Sequence, residues 1–124
     1  MKTGVVGFGV AAQFMHLPFI ITNPEFELQA ILQRKGETAK EKYPAVRIMR
    51  NLEEMLADDS LELIVITTPN DSHFEYASRS LEAGKQADLV VLDRDYMTVP
   101  VAEIQHLHPT LTMVGGRVVF STAK

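Results

Sequence analysis

Short apolar runs alternate along this chain with polar stretches of helical length. Val5-Val6 is β-branched and ends in glycines, which predicts a strand feeding a tight turn. Ala11 to about Ile21 is mostly apolar and predicts a helix, in which Pro18 should cause a kink or an early end. Asn23-Pro24 marks a turn. Phe26–Leu32 predicts a second strand, Glu37–Lys42 a charged helix that stops before Pro44, and Val46–Met49 a short third strand. Asn51 is placed to cap a helix running to about Ala57, with Glu53 and Glu54 in the first turn where carboxylates suit the helix dipole.

Leu61–Thr67 predicts a fourth strand, and its unbroken Ile64-Val65-Ile66 centre predicts burial on both faces, as in a parallel sheet. A loop through Pro69-Asn70-Asp71-Ser72 leads into a helix from Phe74 to Ala83, with Gly84 as its stop. Strands separated by helical stretches define βαβ units. After Lys85 the rhythm changes. Leu89–Leu92 predicts a fifth strand, able to fill the fifth slot of the same sheet. Asp93-Arg94-Asp95 is a polar exit, and Pro100 opens a short helix to His106. Thr110–Val114 and Arg117–Phe120, joined by Gly115-Gly116, predict a β-hairpin. The fold class expected is α/β: a Rossmann-like parallel sheet with helices on both faces and a C-terminal β-hairpin extension. The 124 residues suit one domain, with a core over 1–85 and a fifth strand, short helix and hairpin over 86–124.

Composition narrows the chemistry. With no cysteine, disulfides, cysteine–zinc sites and a thiol nucleophile are excluded. A net charge of −4 argues against a nucleic-acid footprint. No apolar run approaches the roughly 18 residues of a membrane span, and the first residues do not form a signal peptide, so a cytoplasmic protein is expected. His106 and His108 would share a face of an extended segment, but two histidines without a third ligand make a poor metal site. The methionines, among them Met15, Met49 and Met55, are expected to fill the core.

The chemistry-bearing segment is Gly7-Phe8-Gly9-Val10-Ala11-Ala12, a G-x-G-x-x-A run between a strand and a helix. Gly7 permits the tight turn, Gly9 lets backbone approach a pyrophosphate, and Ala12 is small enough for close helix–strand packing. Phosphates would rest on N–H groups at the helix start. At the end of the second strand, a carboxylate would take the ribose 2′-hydroxyl of NAD. This chain has Gln33-Arg34-Lys35-Gly36 instead, and Arg34 and Lys35 suit a 2′-phosphate, which favours NADP over NAD. Glu37, the nearest carboxylate, is expected to start the next helix. Thr67, Thr68, Pro69 and Asn70 follow the fourth strand, where ligands bind in such sheets; Asn70 or Asp71 could equally be a helix cap, and His73 a surface residue in the first turn.

Residues 7–85 resemble the N-terminal domain of the glucose–fructose oxidoreductase, inositol dehydrogenase and rhizopine-catabolism (Gfo/Idh/MocA) family. The matching pieces are GFGVAAQFMHLPFI, FELQAIL, NLEEMLADDSLELIVITTPNDSHFEYA and SLEAGK. The resemblance implies NAD(P) binding through Gly7, Gly9, Ala12, Arg34, Thr68, Pro69, Asn70 and His73. That family continues with a fifth strand ending in Glu-Lys-Pro, whose lysine acts at the catalytic centre, and then a substrate domain; this chain has neither. Gln86 to Val119 instead resembles the C-terminal end of metal-dependent amidohydrolases (QADLVVLDRDYMTVPVAEIQ, then LTMVGGRVV), which implies a fusion near Gly84-Lys85. Three functions are consistent with this reading. The chain is a cofactor-binding module without catalysis of its own, an oxidoreductase subunit for sugars or polyols whose site a partner completes, or an association domain with a vestigial nucleotide site. Asp93, Arg94 and Asp95 follow the fifth strand, but nothing aims them at a nicotinamide. A homodimer through the sheet edge or the hairpin is the expected assembly.

Overall fold

The computed structural model describes residues 1–86, 89–94, 98–114 and 117–122. The chain forms two compact units, Met1–Gln86 and Ala87–Lys124. In the first, strands β1 (Lys2–Val6), β2 (Glu27–Leu32), β3 (Arg47–Met49) and β4 (Leu63–Ile66) make a parallel sheet in the order β3-β2-β1-β4. The chain steps outward from β1 to β3 and then returns to the other side of β1. The order therefore reverses between β1 and β4, which is where such sheets open a crevice.

Successive strand residues face opposite layers, and the core divides accordingly. Val5 and Ile31 pack on one face with Ala12, Leu17, Ile20, Ala39 and Val46; Val6, Ala30 and Leu32 pack on the other with Met49, Leu52, Met55, Leu61 and Ile64. The first face is covered by a helical stretch from Ala11 to Thr22 and by helix α2 (Thr38–Lys42). The second is covered by α3 (Leu52–Leu56), with Tyr76 of α4 (Asn70–Glu82) against it. Asn51 caps α3 as expected: its Oδ1 accepts from the Glu54 amide at 2.9 Å.

Several expectations are corrected here. The Ala11–Thr22 stretch is π-helical over Ala11–His16 and α-helical over Leu17–Thr22 (α1), with the Leu17 amide reaching back to the Ala12 carbonyl. Pro18 neither ends nor breaks it, because Pro18 lies in the first turn of α1, where a missing N–H costs least. Helix α4 begins at Asn70, four residues before Phe74, since Pro69 (φ −58°) suits the position ahead of a first turn. In β4 only Ile64 is buried, and Val65 and Ile66 are half-buried. β4 is an edge strand of its sheet, and among the described residues its outer side carries one parallel bridge, Leu63 to Gln86. Met49 and Met55 are core residues, but Met15 is 63% exposed, on the outer side of its helix.

Leu89–Leu92 (β5) does not fill the fifth slot of the parallel sheet. It pairs antiparallel with β6 (Pro109–Val114), which pairs antiparallel with β7 (Arg117–Ser121), making a separate sheet in the order β5-β6-β7. The expected hairpin is present; its Gly115-Gly116 turn lies outside the described residues. A short 3₁₀ helix spans Val101–His106. No helix among the described residues is long and apolar enough to cross a membrane.

The entry to β4 carries a titratable brace. Asp58 Oδ1 accepts from the Ser60 amide at 3.0 Å and the Ser60 hydroxyl at 2.6 Å, while Oδ2 pairs with Arg47 at the start of β3. The Ser60 hydroxyl chiefly, then the Ser60 amide and Arg47, hold the Asp58 carboxyl below its ordinary value, against an opposing effect of burial that is second in size to the Ser60 hydroxyl. A depressed folded-state pKa adds stability that is complete above the unfolded value of about 4 and is lost as pH falls through the folded value. Asp58→Asn is therefore expected to melt below the parent protein at pH 7, with the gap closing below about pH 4. Melting curves from pH 7 to 2.5 check this, and a gap independent of pH would contradict it.

Candidate functional site

The carboxyl ends of β1, β2 and β4 converge on one cleft of about 240 Å³, lined by Gly7, Phe8, Gly9, Leu32, Gln33, Arg34, Thr67, Thr68, Pro69 and Tyr76. It sits at the reversal of strand order. Three backbone bonds hold its floor: the Gly7 amide donates to the Leu32 carbonyl at 3.0 Å, the Thr67 amide to Val6 at 2.9 Å and the Gln33 amide to Met49 at 3.0 Å.

Gly7 has φ +102°, a conformation that side-chain-bearing residues rarely adopt, and a Cβ built there would lie 3.0 Å from Thr67 Oγ1. That hydroxyl is fixed, donating to the Val6 carbonyl at 2.9 Å. Gly7 is thus required by the turn and by the closeness of β4. Gly9 differs: no atom lies within 4 Å of a Cβ built on it, so nothing in the protein itself demands glycine there. Beyond it the Gln13 amide donates to the Gly9 carbonyl at 3.0 Å, and the Gln13 side chain reaches back to the Phe8 carbonyl at 3.0 Å. The amides of Val10, Ala11 and Ala12 precede that first helical bond and have no partner within the helix. Ala12 itself is fully buried against the sheet. Free amides and a positive helix end favour an anion.

The opposite wall is the β4–α4 loop. His73 Nε2 donates to the Thr68 carbonyl, and Ser72 Oγ lies 2.8 Å from both Thr68 Oγ1 and the Pro69 carbonyl. His73 thus braces the loop and is not among the residues that line the cleft. Asn70 opens α4; its side chain lies outside the described residues. At the far end Arg34 lines the cleft. Lys35, beside it, is exposed and outside the lining, and neither makes an ion pair among the described residues.

Of the expected residues, the structure brings together Gly7, Phe8, Gly9, Arg34, Thr67, Thr68 and Pro69. It sets Val10, Ala11, Ala12, Lys35 and His73 outside the lining, in the adjoining turn, loop and helix. Tyr76 is an addition that sequence reasoning missed. Tyr76 and Ser80 fall four residues apart on one face of α4, and Ser80 is buried. Among the residues after β5, Asp93 Oδ1 accepts from the His108 amide at 3.1 Å, and Arg94 pairs with Glu103 at 2.7 Å. Asp95 lies outside the described residues. No group of three His, Cys, Asp or Glu able to hold a metal occurs among the described residues.

A parallel sheet with a glycine turn at its order reversal defines a dinucleotide-binding α/β unit. The chain belongs to the Gfo/Idh/MocA oxidoreductase family with an NAD-binding Rossmann fold, whose model matches residues 1–120. It is similar to the uncharacterized oxidoreductase YdgJ of Escherichia coli (strain K12), 33% identical over 115 residues, which are 93% of this chain and 32% of that protein. It is also similar to scyllo-inositol 2-dehydrogenase (NADP(+)) IolW of Bacillus subtilis (strain 168), 29% identical over 85 residues, or 68% of this chain and 24% of that protein. Among solved structures, a candidate oxidoreductase from Bacteroides fragilis NCTC 9343 superimposes with a TM-score of 0.67 at 48% identity, covering 69% of this chain and 27% of that one. The chain spans about a third or less of the length of these relatives.

Proposed function

We propose that the cleft holds NAD(P), with NADP preferred, and that these 124 residues do so without turning over a substrate by themselves. The observation that carries the reading is the convergence of Gly7, Gly9, Arg34, Thr67, Thr68 and Pro69 on one cleft at the switch point of the sheet. The amides of Val10 and Ala11 beside Gly9 would hold the cofactor's pyrophosphate, with Thr68, Pro69 and Asn70 supplying the opposite wall. Arg34 and Lys35, which make no ion pair among the described residues, would hold a 2′-phosphate on the ribose. The family's Rossmann domain is NAD-binding, and the relative IolW is named for NADP(+). When bound, the cofactor supplies or accepts a hydride; the residues of this chain bind and orient it.

The proposed lack of catalysis is supported by the lining of the cleft: among the described residues, its titratable members are Arg34, at the ribose end, and Tyr76. Lys85, nearest in sequence to the family's catalytic lysine, is buried and donates to the Asp58 carbonyl at 2.9 Å. A second reading, an oxidoreductase subunit for sugars or polyols with its site completed by a partner, is favoured by the likeness to scyllo-inositol dehydrogenase. An amidohydrolase-like origin of the tail is part of the same proposal and rests on the sequence resemblance alone, while the Gfo/Idh/MocA model also runs through residue 120. Self-association through this tail follows from β7, an edge strand that exposes Val118, Val119 and Phe120.

Calorimetric titration with NADPH and NADH tests the proposal. Saturable binding, tighter for NADPH, is expected. In Arg34→Gln the preference for NADPH should fall about tenfold while NADH affinity holds, because only the 2′-phosphate loses a charged partner. No binding of either cofactor at millimolar concentration would overturn the reading.

A further inference from the structure

The basic loop after β2 is held by a residue from another strand. β3 pairs with β2 up to Leu32↔Met49, so Arg50 emerges beside the point where β2 ends. Its Nη1 donates to the Gln33 carbonyl at 3.0 Å and to the Gly36 carbonyl at 2.7 Å, and its Nη2 pairs with the Glu37 carboxylate. One guanidinium therefore clasps both ends of the reversal that carries Arg34 and Lys35. Gly36, at φ +79°, makes the reversal possible. From the inner side the Gln33 amide completes the brace: Nε2 donates to Thr38 Oγ1 at 2.8 Å and Oε1 accepts from the Ala39 amide at 2.9 Å.

We propose that Arg50 is a positioning residue that sets cofactor preference, by bracing the Arg34–Lys35 tip and by withholding the Glu37 carboxylate from the ribose. The proposal rests on the nucleotide reading above and deepens it. Two physical effects act in the same direction. A loop already ordered before binding loses less entropy when a phosphate arrives, so Arg34 and Lys35 meet a 2′-phosphate at lower cost. A 2′-hydroxyl needs an acceptor at the end of the second strand, and carboxylates serve that role in NAD sites. Glu37 is the one carboxylate between Leu32 and Lys40, and it is bonded to Arg50. A fork of planar donors suits this clasp as an ammonium does not, since it meets two carbonyls and a carboxylate at once.

The test compares parent, Arg50→Gln, Arg50→Lys and the double variant Arg50→Gln/Glu37→Gln by titration with NADPH and with NADH, with thermal melting as the check on folding. Arg50→Gln is expected to weaken NADPH about tenfold and to strengthen NADH, as Glu37 becomes free to accept the 2′-hydroxyl. In the double variant the NADH gain disappears and the NADPH loss remains. Arg50→Lys recovers only part of the NADPH affinity. Equal weakening of both cofactors in Arg50→Gln, or no change in either, would overturn the proposal while leaving the nucleotide site intact. If the parent protein binds neither cofactor, or prefers NADH, the NADP reading fails and this proposal with it.

Discussion

Gly9→Ala is expected to weaken NADPH binding at least about tenfold while shifting the melting temperature by less than about 4 °C. The argument depends on the contrast between the two glycines of the turn. A methyl on Gly7 meets Thr67 Oγ1 at 3.0 Å and the Thr67 carbonyl oxygen at 3.4 Å, on a backbone at φ +102°. Any change there strains the protein before a ligand is present. A methyl on Gly9 meets nothing, and Gly9 is not among the glycines with positive φ. Its substitution even removes some freedom from the unfolded chain, a gain of up to about 1 kcal/mol. The space it fills is space only a ligand would use. Titration of Gly9→Ala beside the parent protein, with melting of both, checks the outcome. Unchanged affinity would mean that phosphates do not pass over Gly9.

Leu17→Ala is expected to cost about 2–5 kcal/mol of stability, the range for removing most of a buried leucine. Leu17 is fully buried where the π-helical turn meets α1, packed in the core with Val5, Ala12, Ile20 and Ile31. It holds the helix that begins at the glycine turn against the sheet. Such a loss is a large share of the 5–15 kcal/mol typical of a whole domain. The melting temperature should fall by at least about 10 °C. NADPH at about a hundred times its dissociation constant should return about 2.7 kcal/mol of this, because it binds the folded form alone. Denaturant titration with and without NADPH measures both quantities. A cost below about 1 kcal/mol would show that this helix does not depend on the core beneath it.

The alternation of strand and helix in the first 86 residues was legible because each parallel strand there is a short apolar run set off by polar helices and turn residues. Local chemistry sufficed to locate the glycine turn and the Asn51 cap, since each is marked by residues within five positions of one another. What escaped was set by distant parts of the chain. Leu89–Leu92 has the composition of a buried parallel strand, but its partner is decided by Leu111 and its neighbours, about twenty residues on. Likewise, Ile64-Val65-Ile66 cannot itself reveal that β4 lies at a sheet edge. In the site, the cleft-lining role of Arg34 could be read from its place after β2. The Arg50 clasp could not, because it forms across a strand pairing that brings residue 50 beside residue 33. Tyr76 was missed because nothing in the local pattern of its helix shows which face turns toward the strand ends.

The central claim is that a dinucleotide occupies the cleft between the ends of β1, β2 and β4. It is tested most directly by mapping amide shifts in the nuclear magnetic resonance spectrum of the ¹⁵N-labelled chain as NADPH is added. The account predicts saturable shifts concentrated at Gly7–Ala12, Gln33–Lys35 and Thr67–Asn70. An unchanged spectrum, or shifts concentrated away from those three segments, would contradict it.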